Sequence, residues 1–348
     1  MSNLPPSGEI PRGAIRFNTD SNKLELWDGS QWAEFQLSTP NLGQGSDTQP
    51  GARGVFAGGS PTASDVIQYL NFSSTGDTSD FGDLLSANNG GGGSGGGSST
   101  RGIFFSGSDK FHIDFITFAS TGNAQNFGNS LDARTYSAAF SNSTRGIQGG
   151  GTSSSTPTGN ASDVIEYITM AATGNAVDFG DLTTKSLRVN GVASPTRGIF
   201  LGGRESAPGA EINVMQFITI ATLGDTQDFG DLSRLVSTGG AASNATRGLY
   251  FGGRNSVKYS EIDYITIASA GNSVSFGDLT FNAFNGAALS SPTRAVYALG
   301  TAETPSSTDV NTIEYVNIAT QGDAVDFGDL LNTNARSMFP TSNAHGGL

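Results

Sequence analysis

The stretch ASDVIEYITMAATGNAVDFGDL, residues 161–182, decides how this chain is read, because versions of it return near residues 65, 113, 213, 262 and 311. Each copy carries an apolar run, at 66–72, 113–118, 164–170, 214–220, 262–267 and 313–318. In the third copy, alternation places Ile165 and Tyr167 on one side of the run and Val164, Ile168 and Met170 on the other. Both faces are apolar, so the run reads as a strand covered by a neighbouring layer on each side. A Gly-Asn or Gly-Asp pair follows every run: Gly76-Asp77, Gly122-Asn123, Gly174-Asn175, Gly224-Asp225, Gly271-Asn272 and Gly322-Asp323. Such a pair between two strand-like segments is a hairpin signal, because glycine accepts positive φ.

Working outward, each copy is preceded by a segment of the type TRGIF, whose arginines are Arg53, Arg101, Arg145, Arg197, Arg247 and Arg294. Their spacings of 48, 44, 52, 50 and 47 residues are those of a propeller blade. Radial stacking of blades also covers both faces of a strand, which an isolated two-layer sandwich does not. A complete unit divides into four strands, represented by ARTYSAAFS, TRGIF, IEYITMA and AVDFGDL. The first unit lacks the first of these strands, and an orphan segment of the same type, residues 335–346, follows the sixth DFGDL. The expected fold is therefore all-β: a six-bladed β-propeller over residues 53–348, its C-terminal strand completing the first blade so that no sheet edge is left free.

Residues 1–37 lie outside the repeat and read as a small β module with strands at 14–17, 24–27 and 31–37 and a tight turn at Asp28-Gly29. Both tryptophans of the protein, Trp27 and Trp32, fall here, with Phe17, Leu24, Leu26 and Phe35. A piece of this size builds a poor core alone, so these six residues are docking candidates for a partner surface. Residues 38–52, with Pro40 and Pro50, read as a linker. The stretch NNGGGGSGGGSS, 88–99, has the composition of a mobile loop between blades.

Composition narrows the function classes. Glycine is 49 of 348 residues, about twice its usual share of roughly 7%, as short strands with many turns require. Eighteen Lys and Arg stand against 31 Asp and Glu, a net charge of −13, and the basic residues are scattered, which argues against nucleic acid and anionic membrane as partners. No apolar run is long enough to cross a membrane as a helix. With no cysteine there is no disulfide, thiolate metal site or cysteine nucleophile.

The segment GAIRFNTDSNKLELWDGSQWAEF, 13–35, resembles the short β module near the ends of tail-fibre and other virion proteins of tailed bacteriophages, and the repeat resembles kelch-like propeller repeats of phages with marine and cyanobacterial hosts. Together the two cover almost the whole chain. They imply a non-enzymatic virion protein, assembled in the host cytoplasm, as a tail-fibre or appendage component. Its front module would bind other virion proteins, and its propeller loops a host surface molecule, within a homo-oligomer or larger assembly. A capsid-surface decoration protein is the neighbouring alternative. The repeats depart from the ordinary kelch pattern in having no Trp, and their double glycine is intact only at Gly58-Gly59, Gly149-Gly150, Gly202-Gly203 and Gly252-Gly253.

The recurring arginine and the acid that closes DFGD, namely Asp83, Asp181, Asp231, Asp278 and Asp329 with Asn129 in the second copy, look at first like chemistry. Repetition argues otherwise. An active site needs one asymmetric constellation, whereas a group present once per blade reads as a fixture that satisfies buried polar atoms. The mid-strand position holding Gln68, Asp114, Glu166, Gln216, Asp263 and Glu314 reads the same way. A glycan-binding or glycan-cleaving propeller is the enzyme alternative, yet the Ser-x-Asp-x-Gly-x-Thr-Trp box of sialidases is absent. The two histidines, His112 and His345, occupy repeat positions and read as structural. Asp77, Asp80 and Asp83 lack the alternating spacing of a calcium loop, so neither metal nor cofactor is expected. The loops 108–112, 152–162, 204–211 and 254–261 should share one face of the ring, the face suited to partner contact.

Overall fold

The apolar runs become strands because each buries side chains on both faces. The structure is a computed structural model that describes residues 11–18, 23–27, 29–34, 52–88, 94–105, 107, 110–153, 160–206, 209–304, 306–332 and 336–348. Every regular element among them is a β-strand. The chain divides into two compact units, Met1–Gln44 and Gly45–Leu348.

The first unit holds an antiparallel sheet of Ile15–Asn18, Lys23–Trp27 and Trp32–Glu34, in that order. Trp27 is buried and Trp32 half-buried, their rings 5.4 Å apart, and the Arg16 guanidinium lies 4.2 Å over Trp32 while its Nε pairs with Glu25 at 2.6 Å. Leu26 is half-buried. The third strand is shorter than the expected 31–37, and Phe35 and most of the expected linker, residues 38–51, lie outside the described residues; so do the side chains of Phe17 and Leu24.

The second unit is β-propeller-like, with six antiparallel four-stranded sheets among the described residues. The sheet of the third repeat is typical: Ala138–Ser141, Arg145–Gly149, Val164–Thr169 and Val177–Asp181, each strand paired with the next. The sheet of the first repeat joins distant segments, because Phe339–Ser342 pairs with Arg53–Ala57. Apolar side chains fill the space between the sheets of consecutive repeats. Phe140, Ile147 and Ile165 meet Phe200, Ile218 and Ile220 between repeats three and four. Leu289, Val296 and Phe327 of the sixth repeat meet Phe56, Leu70 and Phe72 of the first in the same way. Burial of this kind stabilises by about 1.5–3 kcal/mol per large side chain before entropy is counted.

Three expectations need correction. The segment ARTYSAAFS is not one strand: Arg134–Thr135 pairs outward with Thr152–Ser153, Tyr136 turns the chain at φ 60°, and only Ala138–Ser141 enters the four-stranded sheet. The C-terminal strand is likewise Phe339–Ser342 and not 335–346. Nor is the Gly-Asx pair a two-residue hairpin, since Tyr167 pairs with Val177 and the connection between them is longer.

The glycine-rich stretch needs a fourth correction, of consequence for the fold. Ser94–Gly97 is not a loop but a strand of the second repeat's sheet, paired with Arg101–Phe105. It runs between Ala138–Ser141 and Phe339–Ser342 of the adjoining sheets. A Cβ on Gly95 would stand 2.2 Å from the Pro340 carbonyl oxygen, and one on Gly97 2.8 Å from Thr341 Oγ1. Glycine is there because the strands come too close for side chains, not because the segment must move.

Candidate functional site

The repeat arginines form a cycle of contacts. Each Nη1 donates to a backbone carbonyl of the following repeat: Arg53 to Phe118 at 2.7 Å, Arg101 to Met170 at 3.1 Å, Arg145 to Ile220 at 2.7 Å, Arg197 to Ile267 and Ala268 at 3.2 and 2.8 Å, and Arg247 to Ile318 and Ala319, both at 3.0 Å. Arg294 of the sixth repeat donates to Phe72 of the first at 2.7 Å. Every guanidinium also lies over an aromatic ring of its own sheet, Tyr69, Phe115, Tyr167, Phe217, Tyr264 or Tyr315, at 4.6 to 5.3 Å. The ring holds the cation while the carbonyl of the neighbour receives it.

The closing acids are placed differently. Their carboxylates are exposed or half-exposed and do not pair with these arginines. The backbone is what acts: the N–H of Asp83, Asn129, Asp181, Asp231, Asp278 and Asp329 donates to the Asx side chain of the following Gly-Asx pair, at 3.0 to 3.1 Å. Gly180, at φ 146°, allows the approach, since a Cβ there would stand 2.5 Å from the Gly224 carbonyl. Crowding by Asp163 and Asp225, after desolvation, raises the Asp181 carboxyl above its ordinary value.

A buried latch completes the contact. Gln68, Asp114, Glu166, Gln216, Asp263 and Glu314 are all buried, and each accepts from the segment just after DFGD in the preceding repeat. The donors include the N–H of Leu331, Leu85, Leu131, Thr184 and Thr280, and the Ser233 hydroxyl. Desolvation lifts the carboxyls of Asp114, Glu166 and Glu314 above their usual range; Arg134, 3.9 Å from Glu166, pulls the other way. His112 Nε2 meets Ser86 Oγ at 3.2 Å and Asp114 Oδ1 at 3.5 Å.

Within the second unit the strands Ala138–Ser141, Asn190–Ala193, Gly240–Ser243, Ala287–Ser290 and Phe339–Ser342, with Gly95 and Gly96, line a cavity of about 140 Å³. At the end where these strands finish, the backbone of 343–348 crosses. A Cβ on Gly347 would meet the Ser141 carbonyl and one on Gly346 the carbonyls of Ala193 and Asn244. His345 lies here, its Nε2 3.1 Å from Ser141 Oγ and 2.8 Å from the Gly97 carbonyl. A serine beside a histidine invites a hydrolase reading, but the proton is in the wrong place. The Gly347 N–H donates to Nδ1 at 3.1 Å, which leaves the hydrogen on Nε2, where it donates to Gly97. Nε2 therefore cannot take the Ser141 proton, and burial keeps the ring neutral by lowering its pKa.

The other end of the cavity is a rim that sequence reasoning did not find. Tyr136, Arg188, Thr238, Asn285 and Ser337 occupy equivalent places two residues before these strands, all at φ between 53° and 60°. Three successive pairs are bonded, with the N–H of Arg188 donating to Tyr136, Asn285 to Thr238 and Ser337 to Asn285, each at 2.7 Å. Only Thr238-Gly239 and Asn285-Gly286 carry a turn signal in sequence. Arg188 and Tyr136 carry none. Of the loops expected on one face, those of the third to fifth repeats are tied beside this rim: Thr152–Ser153 pairs with Arg134–Thr135, Arg204 with Leu187 and Arg254 with Ser237.

Among the described residues no group of three or more His, Asp or Glu is arranged to hold a metal ion. No helix among them is long and apolar enough to cross a membrane, which says nothing of strands. No protein-family model and no curated protein matches the chain.

Proposed function

We propose that the chain is a non-enzymatic structural protein of a tailed-phage virion, a tail-fibre or appendage component whose propeller is displayed for contact with the host or with other virion proteins. In this reading the second unit is a six-bladed ring closed by a split first blade. The single observation that carries the scaffold reading is the arginine cycle, in which the sixth repeat bonds the first through Arg294 and Phe72 just as every repeat bonds its successor. Pairing of Phe339–Ser342 with Arg53–Ala57 and the apolar contact of the sixth repeat with the first support the same closure. The repeated polar side chains are consumed in fixing sheet to sheet, and neither Ser-His contact is a relay: His345 has the wrong tautomer toward Ser141, and Ser86 and Asp114 both approach the same nitrogen, Nε2, of His112. The virion assignment draws on the resemblance of residues 13–35 and of the repeats to phage virion modules.

The front module is then the attachment point, and its exposed Ile15 and half-buried Trp32 are surface that a partner would cover. Labelled full-length chain, mixed with purified particles lacking it, should co-sediment with them, and a chain starting at residue 45 should remain in the supernatant while still folding. Full-length chain that never sediments with particles would refute the virion role. Sedimentation of both chains would refute the role of the module.

A further inference from the structure

The rim contains one arginine in a strained conformation whose side chain finds no hydrogen-bond acceptor among the described residues. Arg188 sits at φ 58°, a conformation unfavourable for a non-glycine residue. Its Nε is buried with no acceptor, and its side chain makes no hydrogen bond or ion pair among the described residues. What holds it is the Tyr136 ring, 5.2 Å from the guanidinium carbon. The equivalent places hold Thr238, Asn285 and Ser337, so the turn itself does not need a cation.

Two more arginines from the neighbouring loops stand close by. Arg254 lies 4.6 Å over Phe284 and likewise has no hydrogen bond or ion pair from its side chain among the described residues. Burial lowers its pKa first, and then Arg188 and Arg204 push it down against the pull of Glu211 and Tyr136. Arg204 donates its Nε to the Gly209 carbonyl at 3.0 Å. Glu211 is the one carboxylate that draws on Arg254, and it forms no ion pair with it. Arg204 pairs with Leu187 and Arg254 with Ser237, each next to a rim residue, so both stand within electrostatic reach of Arg188 in a chain whose net charge is −13, where dispersed charge would be the cheaper arrangement.

We infer that this arc is a binding site for an oxyanion, a carboxylate, sulfate or phosphate group, that enters the cavity mouth and bonds Arg188. Arg254 and Arg204, on segments paired with residues next to the rim, raise the positive potential there. The ligand supplies what the fold withholds: acceptors for a stranded guanidinium and negative charge between repelling cations. A cavity of about 140 Å³ suits a small anion or the acidic end of one sugar unit, not a folded chain. Arg188, Tyr136, Thr238, Asn285 and Ser337 all line it. The rim offers this whether or not the protein belongs to a particle.

Titration calorimetry on the full chain tests it, with sodium sulfate, phosphate and acetate each compared with sodium chloride at matched ionic strength. Sulfate or a carboxylate should give saturable one-to-one heat that chloride does not. Arg188→Gln should weaken binding on the order of tenfold, the worth of one charge-assisted hydrogen bond, and Arg254→Gln by less. Lys185→Gln, which removes the same charge from a site 59% exposed, should bind as the parent does. Glucuronate, compared with acetate and with glucose, separates the sources: tighter binding than acetate marks a sugar-borne acid, and equal binding a free anion. Absence of any preference over chloride in the parent overturns the site, as does parental affinity in Arg188→Gln. If Arg188→Gln fails to fold by circular dichroism, Arg254→Gln decides, and unchanged affinity there overturns the cluster.

Discussion

Replacing Arg197 by alanine should destabilise the second unit by an amount that its contacts set. The Nη1 group donates to Ile267 and Ala268 of the following repeat, and the guanidinium lies 4.9 Å over Phe217. Ile267 is buried and Ala268 exposed, so truncation strands one carbonyl while water replaces the donor at the other. A stranded buried acceptor costs about 1–3 kcal/mol, and the lost cation over the ring about 0.5–1 kcal/mol. The expected loss is thus about 1.5–4 kcal/mol, seen as a lower urea midpoint with an unchanged slope. Arg197→Lys should recover part of it, since an ammonium can reach one carbonyl but cannot stack as a plane. A cycle with Phe217→Leu isolates the ring contact, because Arg197→Ala should cost less by the stacking share when Phe217 is already gone. A loss below about 0.5 kcal/mol, within the range of an ordinary surface change, would refute the structural role of the arginine cycle.

Gly95→Ala places a Cβ 2.2 Å from the Pro340 carbonyl, so it should destabilise by about 1–3 kcal/mol as overpacking does, whereas a mobile loop would tolerate it; thermal melting distinguishes the two. Glu314 follows a different rule: burial holds its carboxyl above the ordinary glutamate value, so its contribution is full below that value and is lost as pH rises through the raised folded value. Glu314→Gln, matching Gln68 and Gln216 at the same place in other repeats, should flatten the dependence of urea midpoint on pH and be at least as stable as the parent at neutrality; a less stable variant there counts against it. Deleting 339–348 uncovers the amides and carbonyls of Gly54–Ala57 and should abolish cooperative unfolding; a truncated chain that melts like the parent would refute the proposed closure.

The six copies of strand, glycine pair and DFGD-type segment, DFGD itself in four of them, were legible because local periodicity writes itself into the sequence, and Val164–Thr169 was placed almost to the residue. Two-sided burial was legible for the same reason: Ile165 and Ile168 fall on opposite faces of one strand, and both are buried. What Gly174-Asn175 does was not legible. A glycine that frees a turn and a glycine that lets two backbones touch are the same letter, and only the approach of Gly128, whose Cβ would stand 2.1 Å from the Gly174 carbonyl, tells them apart. The glycine run at 94–97 misled for that reason, since composition reports freedom and packing imposes contact. The recurrence of the arginine announced a fixture, but its acceptor lies 65 to 75 residues away within the run of repeats and 222 away from Arg294 to Phe72, a distance that no local pattern encodes. Arg188 was the least visible of all. Nothing in SLRVN distinguishes it from a solvated arginine, and its character shows only where strain, a buried Nε and two further cations, Arg204 of its own repeat and Arg254 of the next, come together in space.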